Sequence, residues 1–237
     1  MSEKKVVYIT GGSKGIGKGV AQYLINEGYR VAVSSRKQEN ADDAVADISG
    51  DAEDKLALQS DVRKKEDEEA AIQRIIDKWG RLDVLVANAG LGVYKSIEEL
   101  SHDDWNKMID TNVTGVFNSV KASLNQIIDH DGYIMTVASL QGIYFNAKAS
   151  GYNASKFAIV GFTQALMLDL RQKGVKVTTI LPGSVSTHFN EHTPSEKDYW
   201  KIQPEDMGEL VYDLLKMNPR TLPSKIEVRP SKPPIKK

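Results

Sequence analysis

Tyr152 and Lys156 are four residues apart, a spacing that puts two side chains on one face of a helix. A phenol has an ordinary pKa of about 10, and a neighbouring ammonium favours its ionised form. A tyrosine tuned in this way can give a proton to a carbonyl oxygen and take it back in reverse. The spacing alone is weak, because Tyr144/Lys148 and Tyr212/Lys216 share it. Tyr144/Lys148 lies in a stretch bearing Gly, Asn and Ser, and Tyr212/Lys216 reads as an ordinary pair on a late amphipathic helix. Only Tyr152/Lys156 opens a long helical pattern shortly after the apolar run Tyr133–Val137, which is followed by Ser139. A hydroxyl at the end of that run could hold a substrate oxygen beside the tyrosine.

The second cluster is Thr10-Gly-Gly-Ser-Lys-Gly-Ile-Gly17, directly after the apolar run Val6–Thr10. Glycines here allow a tight turn and let the backbone approach a phosphate at a helix N-terminus. Several motifs compete for these residues. A nucleotide-triphosphate loop would need a Ser or Thr hydroxyl where Gly19 stands. Gly11-Gly-Ser13-Lys-Gly15 matches a nucleophile elbow, but that elbow needs an oxyanion loop from an earlier strand, and only one strand precedes it. The usual dinucleotide spacing has Val20 in its third glycine place. Gly11-x-x-x-Gly15-x-Gly17 is the spacing that fits, with a plain glycine turn as the bland alternative.

About 20 residues on, a dinucleotide fold meets the adenosine ribose with an acid for a 2′-hydroxyl or an arginine for a 2′-phosphate. Here Ser35-Arg36-Lys37 ends the second apolar run, with no acid before Glu39. Arg36, with Lys14 from the glycine loop, therefore points to NADP(H) rather than NAD(H), unless both are merely solvated cations. His188-Phe-Asn-Glu191-His192 resembles a zinc motif. That motif belongs on a helix, whereas Pro182-Gly183 before it and Thr193-Pro194 after it suggest a loop. No metal site is expected; the segment reads as part of a substrate loop over about 184–203, with His188, Phe189 and Trp200 near the substrate.

The elements that must position these groups follow from periodicity. Short β-branched runs at Val6–Thr10, Arg30–Ser34, Leu56–Ser60, Leu82–Ala87, Tyr133–Val137, Val175–Leu181 and Lys225–Arg229 read as strands. Their near-continuous apolar character implies burial on both faces. Helical patterns lie between them at Ile16–Glu27, Asp42–Ile48, Lys65–Trp79, Asp103–Ile128, Tyr152–Lys173 and Pro204–Lys216. The alternation predicts one doubly wound α/β Rossmann domain over 1–237, with a seven-stranded parallel sheet and helices on both faces. Ligands should sit past the C-terminal ends of its strands. A net charge of -1 and scattered basic residues exclude a nucleic-acid footprint. The absence of cysteine excludes disulfides, thiolate metal sites and thiol catalysis. No apolar stretch is long enough for a membrane span or a signal core, so a cytoplasmic protein is expected.

Taken together, these motifs resemble the short-chain dehydrogenase/reductase family in its standard, non-extended form, over essentially the whole chain. Thr10–Gly17 resembles the family's cofactor loop, with Gly11, Ser13, Lys14, Gly15, Ile16 and Gly17 as contacts. Asp61-Val62 resembles the adenine contact, Asn88-Ala89-Gly90 the Asn-Ala-Gly signature, and Asn112 in Thr-Asn-Val-Thr-Gly the asparagine of the catalytic tetrad. Pro182-Gly183-Ser-Val185-Ser-Thr187 resembles the loop holding the nicotinamide carboxamide. The resemblance implies Tyr152 as general acid/base and Lys156 as ribose ligand and tuner of Tyr152. It implies Ser139 as the group polarising the carbonyl, and Asn112 as the support of a water relaying protons to Lys156. The implied activity is NADPH-dependent hydride transfer between nicotinamide and a small carbonyl/alcohol pair, as in carbonyl reductases and alcohol dehydrogenases. The alternative is a catalytically idle NADP(H)-binding regulator on the same fold.

Two departures stand out. Ala87 replaces a second asparagine common among relatives. The tail Lys225-Ile-Glu-Val-Arg-Pro-Ser-Lys-Pro-Pro lacks the Gly-rich ending of ketoacyl-carrier-protein reductases, which argues against fatty-acid elongation. At 237 residues there is no room for the substrate domain of the epimerase-type relatives. The apolar surface of Asp103–Ile128 and Tyr152–Lys173, helices that pair in the family, implies a homotetramer or dimer, with a small molecule as the other partner and neither nucleic acid nor membrane.

Overall fold

A computed structural model describes residues 4–233; the first three residues, and the tail from its last proline onward, lie outside the described residues. Seven strands are β1 (Val6–Ile9), β2 (Arg30–Ser35), β3 (Lys55–Gln59), β4 (Val84–Ala87), β5 (Tyr133–Val137), β6 (Lys176–Pro182) and β7 (Lys225–Val228). They form one sheet in the order β3-β2-β1-β4-β5-β6-β7, every pairing parallel. The order reverses between β1 and β4, so their C-terminal ends open onto a crevice between diverging connections.

The apolar runs divide by strand alternation into two cores. Val6, Tyr8, Leu85, Ile134 and Val177 face α3 (Lys65–Trp79), α5 (Gly115–Asp129) and α6 (Ser150–Leu170). Val7, Ile9, Val31, Val86, Met135 and Ile180 face α1 (Gly15–Asn26) and α7 (Pro204–Lys216). The doubly wound parallel sheet expected from the sequence is therefore present. Among the described residues no helix is long and apolar enough to cross a membrane.

Two helices depart from their sequence patterns. The second, α2, spans Gln38–Asp47 rather than starting at Asp42; Gln38 Nε2 donates to Asp42 Oδ1 at 2.8 Å across its first turn. The helix expected over Asp103–Ile128 is present and runs without interruption through a π-helical turn at Asp110–Thr114, which divides it into α4 (His102–Ile109) and α5. Periodicity does not reveal that turn, because what holds it is a tertiary contact made by Asn112.

On α3 the buried face follows helical spacing: Glu68, Ala71, Ile72, Ile75 and Trp79. Glu68 is the misfit. It is fully buried and accepts hydrogen bonds from Tyr8 Oη at 2.9 Å and from Ser60 Oγ. Burial pushes its carboxyl above the ordinary range, against the pull of those hydroxyls. A raised carboxyl contributes stability fully present below the unfolded-state pKa and lost as pH rises through the folded one. Glu68→Gln, neutral at every pH, should flatten that decline. Denaturant unfolding from pH 4 to 8 should show wild type losing ground to the variant as pH rises; a constant gap would contradict the assignment.

Candidate active site

Tyr152 and Lys156 sit in the first turns of α6, both 5% exposed. Lys156 Nζ lies 5.7 Å from the Tyr152 ring centroid and donates to the Val137 carbonyl, at the end of β5, at 3.1 Å. Two residues beyond Val137, Ser139 caps a 3-10 turn, its Oγ accepting from Gln141 N–H at 3.1 Å. The end of β5 and the start of α6 thus bring Ser139, Tyr152 and Lys156 onto one wall. The other two Tyr-x-x-x-Lys pairs stay apart from it. Lys148 has a left-handed φ of 59°, and Lys216 lies 5.8 Å over the Tyr212 ring on α7.

The electrostatics differ from the sequence expectation. Tyr152 is not shifted toward phenolate by Lys156. Burial pushes its hydroxyl upward, Tyr94 adds to this, and the Ser139 hydroxyl opposes it. Burial also lowers Lys156 to about 8. Removing both groups from water disfavours the charged form of each.

Asn112 occupies the π-turn and uses both ends of its amide. Oδ1 accepts from Leu91 N–H at 2.9 Å; Nδ2 donates to the Leu91 carbonyl at 2.8 Å and to Ser155 Oγ at 2.9 Å. A Cβ added to Gly90 would lie 3.2 Å from Asn112 Oδ1 and 3.5 Å from Lys156 Nζ, so both groups border that spot. Residue type alone did not single out Ser155 or Leu91. Nor did it single out Asn153, whose Nδ2 ties down the Gln141 and Tyr144 carbonyls at 2.7 and 2.6 Å. The available signal was a run of small polar residues inside the helix Tyr152–Lys173.

The glycine loop is tied to the end of β4. Thr10 Oγ1 accepts from the N–H groups of Asn88 and Ala89, both at 3.1 Å. Asn88 Nδ2 donates to the carbonyls of Thr10 at 2.9 Å and Gly11 at 3.1 Å. Gly11 has a φ of 62°, where a Cβ would stand 2.9 Å from Ala89 Cα, so a side chain is excluded on both counts. A Cβ added to Gly15 would stand 3.2 Å from Thr187 Cβ, so the Pro182, Gly183, Val185 and Thr187 segment borders the same loop. No side chain caps α1, so its first N–H groups are left for another acceptor.

One cleft of about 2110 Å³ runs along the glycine loop, the turn after β4, the wall of Ser139, Tyr152 and Lys156, and the segment from Pro182 to Thr187; Gly17 and Asn112 are not in its lining. At its far end stand Lys14, Ser35, Arg36 and Asp61. Among the described residues neither Lys14 nor Arg36 makes a salt bridge, although the Arg36 charge acts on nearby Asp61, whereas Lys18 pairs with Asp47 at 2.9 Å. Asp61 is held below the usual carboxylate range chiefly by hydrogen bonds from Arg63. Val62 is pinned through its carbonyl by Asn118 Nδ2 at 2.9 Å. An uncapped helix N-terminus, a backbone cradle and nearby cations suit the phosphates of a dinucleotide.

The histidine motif does not form a helix. Phe189–Glu191 is a 3-10 turn with Asn190 at φ 53°. His188 is exposed, while His192 Nε2 lies 2.6 Å from Asp198 Oδ2. Among the described residues no three His, Cys, Asp or Glu side chains cluster to hold a metal.

A family model described as short chain dehydrogenase matches residues 5–198. The chain is similar to an uncharacterised oxidoreductase of Staphylococcus aureus, at 30% identity over 95% of this chain and 97% of that one. Its fold is similar to an alcohol dehydrogenase of the archaeon Thermococcus sibiricus, complexed with 5-hydroxy-NADP (TM-score 0.88, 28% identity, 99% and 100% of the two chains). It is also similar to a 3-ketoacyl-(acyl-carrier-protein) reductase of Brucella melitensis complexed with NADH (TM-score 0.87, 25% identity, 97% and 98%).

The lowered Lys156 has a stability consequence of its own. Below about 8 the folded chain carries a buried ammonium at a cost; between there and the unfolded lysine value the unfolded chain holds the extra proton, so stability climbs with pH. Lys156→Met should raise the melting temperature of the ligand-free protein at pH 7, and the gain should shrink toward pH 10. Thermal unfolding at both pH values checks this; equal gains would show that the ammonium is not the cause.

Proposed function

Because this chain belongs to the short-chain dehydrogenase family, we propose that it is an NADPH-dependent oxidoreductase acting on a small carbonyl/alcohol pair. The observation that carries this reading is the single cleft joining the cations Lys14 and Arg36, neither of them in a salt bridge, to the wall of Ser139, Tyr152 and Lys156. Bound NADPH supplies the hydride. Gly11, Ser13, Gly15, Ile16 and Gly17 would cradle its diphosphate, and Arg36, Ser35 and Lys14 its 2′-phosphate. Asp61 and Val62 would border the adenine. Asn88, Ala89 and Gly90 would line the middle of the cofactor, Lys156 would hold the nicotinamide ribose, and Pro182, Gly183, Val185 and Thr187 the carboxamide.

Ser139 holds the carbonyl oxygen while Tyr152, kept as a neutral phenol by its burial, donates its proton to that oxygen as hydride reaches the carbon. The product is the alcohol, and Tyr152 is left as phenolate. A proton from solvent restores it by way of Lys156 and a water supported by Asn112. An amine with a pKa of about 8 suits such a relay, since both of its forms are populated near neutral pH. Phe117 and Leu168, 47% and 54% exposed on α5 and α6, support a homodimer or tetramer packed through those helices.

The similar solved structures hold both kinds of cofactor, so the choice rests on the cations. NADPH should bind more tightly than NADH in a fluorescence titration. Arg36→Ala should weaken NADPH by about 10- to 100-fold, the worth of a charge-assisted hydrogen bond, and leave NADH nearly unchanged. Equal loss for both nucleotides would remove Arg36 from the phosphate site. Tyr152→Phe should abolish turnover of a small ketone with NADPH affinity close to wild type. Wild-type protein that binds NADPH but reduces nothing in a broad carbonyl panel would instead be the idle cofactor-binding protein.

A further inference from the structure

Phe189 reaches from the 3-10 turn of the loop to the catalytic tyrosine. Its ring centroid lies 5.7 Å from that of Tyr152, and Tyr94 flanks Tyr152 at 5.4 Å. The ring can sit there because residue 92 is glycine. A Cβ on Gly92 would stand 2.7 Å from Phe189 Cζ and 3.2 Å from Tyr152 Cδ2. Behind the ring the loop is anchored. Asp198 is buried and accepts from Ser195 N–H at 3.2 Å; His192 Nε2 and Lys201 Nζ each lie 2.6 Å from its carboxylate. A parallel bridge between Val185 and Ile202 joins the two ends of the loop. Phe189 is thus the tip of a short tether.

The charges at this end of the cleft are already matched. Among the described residues lining it, Lys95 pairs with Asp104 at 2.7 Å, Lys201 with Asp198, and Arg229 with Glu227 at 2.8 Å. Lys156, committed to the nicotinamide ribose in the proposed reaction, and His188, exposed at the rim, are the remaining basic side chains. With Lys156 engaged by the cofactor ribose, a carboxylate entering here would leave water without gaining an unpaired lysine or arginine. A bulky substituent would have to displace the Phe189 ring and forfeit its aromatic contacts.

Resting on the oxidoreductase reading above, we propose that Phe189, seated in the notch left by Gly92, is the specificity-determining residue of this site and limits it to small, uncharged carbonyl compounds. Butanone, acetophenone and acetoacetate separate size from charge. Binding is read by calorimetry of acetophenone on NADP+-saturated protein, apart from turnover. Acetophenone should bind Phe189→Ala at least tenfold more tightly than wild type, with Phe189→Leu in between, a difference of the size that pocket volume commands. With NADPH, the kcat/KM ratio of acetophenone to butanone should rise at least tenfold in Phe189→Ala. Acetoacetate should trail butanone at least tenfold in all three proteins. Equal acetophenone affinity in wild type and both variants, or a wild-type preference for acetoacetate, overturns the proposal. The binding difference without turnover of any ketone upholds Phe189 as the limiting wall and counts against the reductase reading alone.

Discussion

Parallel strands must be joined by crossovers, and between β1 and β4 the crossovers depart in opposite directions along the sheet. That reversal leaves a crevice which no connecting helix covers, bordered by the turns that follow the paired strands β1 and β4. Thr10 and Asn88 tie those turns together: a hydroxyl accepting from two amides, and an amide donating to two carbonyls. The glycine loop is shaped by this tie, since Gly11 approaches Ala89 so closely because Asn88 holds the loop carbonyls. The cofactor half of the cleft therefore depends on four hydrogen bonds between two turns that are 78 residues apart at their ends.

The proposed catalytic half rests on buried polar groups that oppose stability. Lys156 has no carboxylate beside it and rests on the Val137 carbonyl; Tyr152 lies between two aromatic rings. Asn112, Leu91 and Ser155 satisfy one another, and in doing so open the helix into a π-turn. Protonation states follow from desolvation here. A neutral phenol next to an amine near its midpoint suits the proton transfer proposed for Tyr152.

The loop over this wall is divided in the same way. Its root is electrostatic, with Asp198 collecting a lysine, a histidine and a backbone amide. Its tip is apolar, with one phenyl ring filling the space that a missing Cβ leaves at Gly92. Charges neutralised at the root are unavailable to a ligand, so the substrate end offers shape and apolar contact more than charge.

Local chemistry alone determined much of this protein. Strand runs, helical spacing and Gly11, Gly15 and Gly17 act within a few residues, so the parallel sheet and the placing of Ser139, Tyr152 and Lys156 after or on their elements were legible from the chain. The π-turn at Asn112 was not legible, because the helical pattern runs through it and its cause is Leu91 and Ser155. Spacing suggested that Lys156 would lower the Tyr152 pKa. Only the fold shows that burial reverses the sign, since desolvation is set by Tyr94, Phe189 and the sheet end. The notch between Gly92 and Phe189 and the anchoring of the loop at Asp198 were likewise decided by tertiary structure. Each depends on distances between residues remote in the chain or on burial that the whole fold creates, and neither quantity exists until the chain is packed.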